Sequence, residues 1–246
     1  MIARLVLALT ALVAGVCAAA APIWTEQGFE ARYVVIAAGL AMGRSEVTLT
    51  ANGDGTVVYQ SDTRPTGIAA LFDGARRVER SELRWLDGRP APMRYRFERI
   101  GGRRDRREHV EFDRALGTAR GQDRSGTWQV QFPAAAQDRL SVQLGLMRDL
   151  GRPGADLDYQ VVDGGRLKGY RFERIGTDRT RSPYGKLDTV VVRRVRDDDT
   201  RETTMWCAPS LDFLPVRIEH RERDGQVIVM ELESVTGIEL AAKTTR

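Results

Sequence analysis

The sequence predicts a mainly β protein: a curved antiparallel sheet or incomplete β-barrel with one covering helix and a second, short helix. Three observations lead there. Apolar and polar residues alternate with a period of two along most of the chain, turn-forming residues recur roughly every ten positions, and helical spacing dominates only one long segment.

Residues 1–20 read as a secretory signal peptide. Arg4 adds charge to the amino-terminal region, Leu5 to Val16 form the apolar run, and Ala18-Ala19-Ala20 fit the cleavage site. The run is shorter than the roughly 20 residues a membrane-crossing helix needs. Charged residues interrupt every later apolar stretch, so no transmembrane span is expected. A lipoprotein signal would want a small residue before Cys17, and Val16 stands there. Cleavage near Ala20 removes Cys17, leaves Cys207 as the only cysteine, and rules out an intramolecular disulfide. The remainder, 21–246, is expected to be a single β-rich periplasmic domain of roughly 225 residues, long enough to hold itself together by its core.

The strands follow in order. Phe29, Ala31, Tyr33 and Val35 share one face, with Glu30 and Arg32 opposite. Val47 and Leu49 lead to a hairpin turn at Asn52-Gly53-Asp54-Gly55, whose residues tolerate positive φ, and Val57 to Gln60 returns. Leu83 and Trp85 form an inward pair ended by Asp87-Gly88; Tyr95 and Phe97 alternate with arginines; Trp128, Val130 and Phe132 alternate with Thr127, Gln129 and Gln131. Later strands fall at 190–194, 203–207, 216–220 and 227–235, the last two joined at Asp224-Gly225. Gln137 to Leu150 places Leu140, Leu144 and Met147 at helical spacing, with Asp138 to cap the start and Gly151 to end it. A shorter helix is expected at 66–73, after Pro65. One heptapeptide, Tyr-Arg-Phe-Glu-Arg-Ile-Gly, occurs identically at 95–101 and 170–176. Without a third copy it reads as two strands in similar surroundings.

Charged residues make up 29% of the chain and the formal charge is +4, ordinary for a water-facing protein. Arg103-Arg104-Asp105-Arg106-Arg107 is the densest basic run and reads as a solvated hairpin. For an exported protein the available anions are lipid head groups and wall polymers, so nucleic acid is not an expected partner.

The inventory for catalysis is thin. His109 and His220 have no H-x-x-H partner, so no metal site is expected. Cys207 lacks a neighbouring base and reads as a buried apolar residue. Ser141 and Ser182 lack a nucleophile-elbow motif, Asp197-Asp198-Asp199 lacks calcium-loop spacing, and no glycine-rich phosphate loop is present. No catalytic residue and no cofactor is assigned, and the enzyme reading is the weaker one.

Several motifs in order resemble the DUF3108 family of exported bacterial proteins. They are Asp138-Arg139-Leu140-Ser141, the stretch from Ser182 to Thr189 (SPYGKLDT), Met205-Trp206-Cys207-Ala208-Pro209, and Leu214-Pro215-Val216-Arg217-Ile218. Phe29 to Tyr33 and Gly67 to Phe72 are similar to the family's amino-terminal half. The resemblance implies export and an antiparallel β architecture, and it brings no catalytic residues with it.

The function expected from this reading is binding or maintenance in the cell envelope, with an apolar or lipid-like ligand held between sheet and helix. Trp85, Trp128, Phe132 and Trp206 are then the candidate ligand-binding residues, against the simpler reading that they fill the core. The alternatives are an assembly partner of another envelope protein, acting through a sheet edge or the basic hairpin, and a hydrolase built from scattered carboxylates and His220. Oligomeric state is not legible in the sequence.

Overall fold

A computed structural model describes residues 24–67, 70, 74–102, 104–196 and 201–241. The expected signal peptide with Cys17, most of the expected 66–73 helix, Arg103 and the Asp197-Asp199 cluster lie outside the described residues.

The described residues begin with a four-residue helix, α1 (Trp24–Gln27). Eight strands follow as one meander: β1 (Phe29–Ala37), β2 (Leu40–Ala51), β3 (Thr56–Pro65), β4 (Arg76–Leu86), β5 (Arg89–Ile100), β6 (Arg106–Asp113), β7 (Thr118–Asp123) and β8 (Gly126–Gln131). After α2 (Ser141–Leu150), six more form a second meander: β9 (Asp158–Asp163), β10 (Arg166–Ser182), β11 (Gly185–Val195), β12 (Glu202–Ala208), β13 (Leu214–Arg221) and β14 (Val227–Thr236). The two meanders join where β1 pairs with β14, giving one antiparallel sheet of fourteen described strands in the order 8-7-6-5-4-3-2-1-14-13-12-11-10-9. The sheet curls until its two end strands approach each other, so the barrel is nearly closed.

Turn chemistry sets the registers. Asp87 and Gly88 both take positive φ, the backbone a two-residue hairpin between right-twisted strands requires. Asn52, Asp54 and Thr56 bond one another across the β2–β3 turn. The Ser182–Gly185 turn closes by a Ser182 hydroxyl bond to the Gly185 carbonyl. At the Trp206–Pro215 corner a bulge falls between Trp206 and Cys207, a 3₁₀ turn spans Pro209–Leu211, and Asp212 and Phe213 are left-handed.

The helix is shorter than its apolar spacing implied, and it is buried on both sides. Leu140, Leu144 and Met147 pack into one core cluster with Phe29, Tyr33, Tyr59 and Leu83. Val142, Leu146 and Leu150 pack into another with Val161, Phe172, Val192 and Cys207. Leu144, Leu146 and Met147 are 0%, 1% and 2% exposed, each such burial contributing about 1.5–3 kcal/mol. The helix therefore fills the barrel rather than lying over it. Asp138 serves the start, its Oδ1 accepting the backbone N–H groups of Leu140 and Ser141 at 2.8 and 2.7 Å. Gly151 at the end is right-handed, not the left-handed cap its identity suggests. It is small because the Phe213 ring packs against it.

The outer face carries ion pairs, among them the cross-strand Arg94–Glu82 at 2.8 Å and Arg44–Glu233 at 3.4 Å, and Asp62 held by Arg76 of β4 at 2.5 Å and by Arg64 of its own strand at 2.6 Å. Apolar inside and charged outside is the reverse of a membrane-spanning barrel, whose outward band is apolar. No described helix is long and apolar enough to cross a membrane.

Candidate functional site

The inward faces of β4, β5 and β6 are layered by their register. Ser81, Tyr95 and Val110 stand opposite one another; one layer up are Glu79, Phe97 and Glu108; at the barrel's end come Arg77, Arg99 and Arg106. Alternation of two along each strand puts all nine side chains on one face. The layers run from hydroxyl through carboxylate to guanidinium, a polar chamber built into an otherwise apolar interior.

Arg139, just before α2, reaches into this chamber and ties it to the opposite end of the sheet. Its Nε and Nη2 donate to the Tyr95 hydroxyl at 3.0 and 2.6 Å, and that hydroxyl donates to Glu79 at 2.6 Å. Nη2 stands 3.3 Å from Glu108, whose side chain is 1% exposed. Nη1 meets Asp163 of β9 at 3.5 Å, and Asp163 also accepts from Lys168 at 2.8 Å and from the Tyr170 hydroxyl at 3.0 Å. The guanidinium lies 5.0 Å from the Phe97 ring centre, with Arg106 at 5.3 Å from the same ring. Burial would lower the Arg139 pKa, but Tyr95, Glu79 and Glu108 together hold it above its ordinary value. Burial, reinforced by Glu79, raises the Tyr95 phenol. Asp163 sits below the usual carboxylate range: burial pushes it up, and Lys168 and Arg139 outweigh that.

A second polar knot lies beneath. Asp138 is fully buried, accepts from Ser81 at 2.5 Å, and neighbours the Ser141–Gln137 bond at 2.9 Å. Burial, only partly offset by the Ser141, Ser81 and Leu140 bonds, raises its carboxyl to about 6. No group of three or more potential metal-ligating side chains converges among the described residues. Glu79, Glu108 and Asp163 are each engaged by a phenol or a cation.

The seam between β8 and β9 is closed by the Gln137 backbone and by side chains. Gln137 pairs with β9, its N–H on the Gln160 carbonyl and its own carbonyl on the Val162 N–H, while its side chain donates to the Pro90 carbonyl at 2.7 Å. Trp128 lies flat against Gly121 and Gly165; a Cβ on either glycine would fall 2.2 or 2.9 Å from the indole. The Gly164 N–H donates to Glu108 at 3.3 Å.

The four aromatic residues singled out from sequence all belong to the larger core cluster or pack against it. Phe132 is buried edge-to-face on Phe112 at 5.3 Å, and Trp85 stands against Trp24 at 5.9 Å near α1. Trp128 belongs to the seam. Trp206 is partly buried, its indole donating to Asp178 at 3.1 Å under the Arg217 guanidinium. His220 bonds Thr203 at 2.9 Å and faces one carboxylate, Glu222 at 3.3 Å, while burial holds its pKa down. Cys207 is fully buried, which raises its thiol far out of reactive range. His109 lies beside Glu111 at 3.2 Å. The basic run is divided: Arg106 and Arg107 begin a strand, not a hairpin tip. Surface grooves have charged linings, one of about 540 Å³ with Arg96, Arg107, Glu108 and Arg124, and one of about 490 Å³ at the seam with Arg89, Arg148, Asp149 and Arg152.

Glu79, Glu108, Arg139 and Asp163 were not singled out as a site, because charged inward residues break the apolar alternation that marks a strand. Two signals pointed to them: the repeated heptapeptide, which supplies Tyr95 and Tyr170, and the Asp138-Arg139-Leu140-Ser141 motif.

Comparison with curated proteins gives no match. Among solved structures, a β-barrel-like protein of domain of unknown function DUF1849 from Brucella abortus is similar in fold, with TM-score 0.50 and 10% identity over 85% of this chain and 97% of that one. An outer membrane lipoprotein-sorting protein domain from Vibrio parahaemolyticus overlaps at TM-score 0.24, with 10% identity over 87% and 89%. MucB in complex with MucA(peri) overlaps at 0.19, with 16% identity over 89% and 95%. These last two scores are too low to indicate a shared arrangement. The model of the family described as protein of unknown function DUF3108 matches residues 29–233, and the chain belongs to that family.

Proposed function

We propose that the protein is an exported component of the cell envelope that works by binding, with another envelope protein as its partner. The amino-terminal pattern of Arg4, the Leu5–Val16 run and Ala18-Ala19-Ala20 supports export. One observation favours a surface partner over an enclosed ligand: the space between sheet and helix is taken by Leu144, Leu146 and Met147, all at most 2% exposed. Osmotic-shock fractionation with amino-terminal sequencing tests the location. A mature chain starting near Ala21 in the periplasmic fraction is expected; an intact Met1 in the cytoplasm would overturn it. Cross-linking in intact cells tests the partner, and a single recurrent envelope protein in the adduct is the expected product.

A second reading, a lipid-like ligand, draws on a different feature. The indole nitrogens of Trp24 and Trp85 are buried without a hydrogen-bond partner, as is the Tyr59 hydroxyl. Donors of this kind suit a ligand that brings acceptors into an aromatic setting. Trp85, Trp128, Phe132 and Trp206 remain its candidate contacts. Native mass spectrometry of detergent-free protein separates the readings: the bare chain mass favours the partner, and a stoichiometric lipid adduct favours the ligand.

A further inference from the structure

Where β11, β12 and β13 run side by side, three side chains stand in a chemically ordered row. Thr203 of β12 lies directly opposite His220 of β13, and Arg194 of β11 lies directly opposite Thr203. Thr203 shares a face with Met205, and His220 with Ile218, so both project beside the second core cluster, where Met205 and Ile218 pack. Opposed residues on adjacent strands have Cβ atoms about 4.5–5.5 Å apart, close enough for their side chains to bond. The Thr203 hydroxyl and His220 Nδ1 are 2.9 Å apart, and His220 Nε2 stands 3.3 Å from Glu222 Oε1. Arg201 holds the other oxygen of Glu222 at 3.0 Å, which orients the carboxylate.

The protonation states agree with this order. Burial, with Arg196 and Arg201 acting in the same direction, outweighs Glu222 and keeps the His220 pKa below its ordinary value. A neutral ring carries one proton, and the Glu222 carboxylate can only accept, so that proton belongs on Nε2. Nδ1 is then an acceptor, and the Thr203 hydroxyl donates to it. Hydroxyl, imidazole and carboxylate in this order are the parts of an activated oxygen nucleophile. The His220 side chain is 30% exposed, so the row is open to solvent as well as ordered. Beside the hydroxyl, the Arg194 guanidinium lies 3.2 Å from the Tyr170 ring centre, and its Nε is buried without a hydrogen-bond partner. A cation there suits the oxyanion that forms when a hydroxyl attacks a carbonyl.

We propose that Thr203, His220 and Glu222 form a hydrolytic site for carboxylic esters with a short acyl group. Thr203 Oγ1 bonds to the ester carbonyl carbon while its proton passes to His220 Nδ1. The carbon–oxygen bond to the alcohol then breaks, and the leaving oxygen takes that proton. Water attacks the acyl-threonine in the same way, releasing the free acid and restoring the hydroxyl. The Thr203 methyl and Ile228, opposite His220 on β14, crowd the site and favour a short acyl group. Glu222 is a positioning residue that acts through the imidazole. The inference goes beyond the binding reading and does not depend on it.

The test mixes purified protein with p-nitrophenyl acetate and follows nitrophenolate release alongside the intact mass after acid quench. Wild type should release nitrophenolate faster than buffer alone and gain one acetyl group that maps to Thr203. Thr203→Ser should keep both properties. Thr203→Ala should lose the adduct and, like His220→Gln, fall on the order of a hundredfold in rate. Arg194→Gln should slow the reaction roughly tenfold or more. Glu222→Gln removes a group that raises the His220 pKa, so it should slow the reaction and move the pH–rate inflection to lower pH. His109→Gln, which alters the other histidine, beside Glu111 on β6, should react as wild type. Circular dichroism melts establish that each variant is folded. The proposal is overturned if wild type does not exceed the buffer rate, or if folded Thr203→Ala or His220→Gln reacts as wild type. It is equally overturned if the acetyl group maps elsewhere or His109→Gln loses the activity to the same extent. Such a failure leaves the fractionation and cross-linking results standing, so the two readings fail separately.

Discussion

Tyr95 and Tyr170 open the two identical heptapeptides, and their hydroxyls end on the same ion pair. Arg139 donates to Tyr95 and meets Asp163, and Asp163 accepts from Tyr170. The strands that carry them, β5 and β10, lie in different meanders and are not neighbours in the sheet. The repeated sequence thus places a tyrosine on each side of the barrel, and Arg139 spans the interval.

This linkage is measurable. Tyr95→Phe strips a partner from Glu79 and from Arg139, and should cost about 1–3 kcal/mol. Tyr170→Phe should cost less, since Asp163 keeps Lys168. In urea denaturation the double variant should depart from additivity by 0.5 kcal/mol or so, as expected of residues in one network. Strict additivity would mean that the two hydroxyls do not communicate.

Arg139→Met removes the cation beside a buried carboxylate. The loss should be about 3–5 kcal/mol, because Glu108 would keep Arg106 at 3.5 Å and the Gly164 N–H but lose its nearer cation. Adding Glu108→Gln should restore part of it. If the double variant is no more stable than Arg139→Met, uncompensated charge is not the cause.

The buried Asp138 gives the protein an acid-side signature. Its folded pKa, about 6, lies above the ordinary 3.8, so between those values the folded state keeps a proton that the unfolded chain has released. Stability contributed by this group is therefore present below about pH 4 and lost as pH rises through 6. Asp138→Asn keeps the carbonyl acceptor for the Leu140 and Ser141 N–H groups and abolishes the titration. Its stability relative to wild type should improve on going from pH 4 to pH 7 by on the order of 3 kcal/mol at most. A gap between the two proteins that does not change with pH would refute the assignment.

Gly121→Ala should destabilise by about 1–3 kcal/mol through overpacking, since the new methyl falls inside the Trp128 ring. Trp128→Ala should open the seam, read as faster amide exchange in β8 and β9. Normal exchange there in Trp128→Ala would show that the seam is held elsewhere.

The legible parts of the sequence and the illegible ones differ for physical reasons. β1 to β5, β8 and β11 to β14 are legible where apolar inward residues such as Phe29, Leu49, Leu83 and Tyr95 alternate with polar ones and where Asn52-Gly53-Asp54-Gly55, Asp87-Gly88 and Asp224-Gly225 mark turns. β6 is obscured where Arg106 and Glu108 face inward, and β7 because Gly121 is small to admit Trp128. β10 is seventeen residues long, yet Tyr170, Phe172 and Thr180 are the only residues buried along it, so no alternation shows. The same charges that hid these strands make up the polar chamber. A pattern read through hydrophobicity finds the core and passes over a site built from ions. The tryptophans, conversely, draw attention through size, and Trp85, Trp128 and Trp206 pack partly buried against the main core cluster.

The junction of β1 with β14 also bears on timing. Glu30 finds its partner in Thr236, almost the whole chain away, whereas every other strand pairing joins sequence neighbours. Each meander can assemble from local hairpins as it emerges, but the sheet becomes one piece only after the last strand arrives. Contacts this distant are slow to form and leave two open edges waiting. The zipper between first and last strand thus acts as a completion check: a truncated chain would keep β1 uncovered, an edge open to chaperones and proteases.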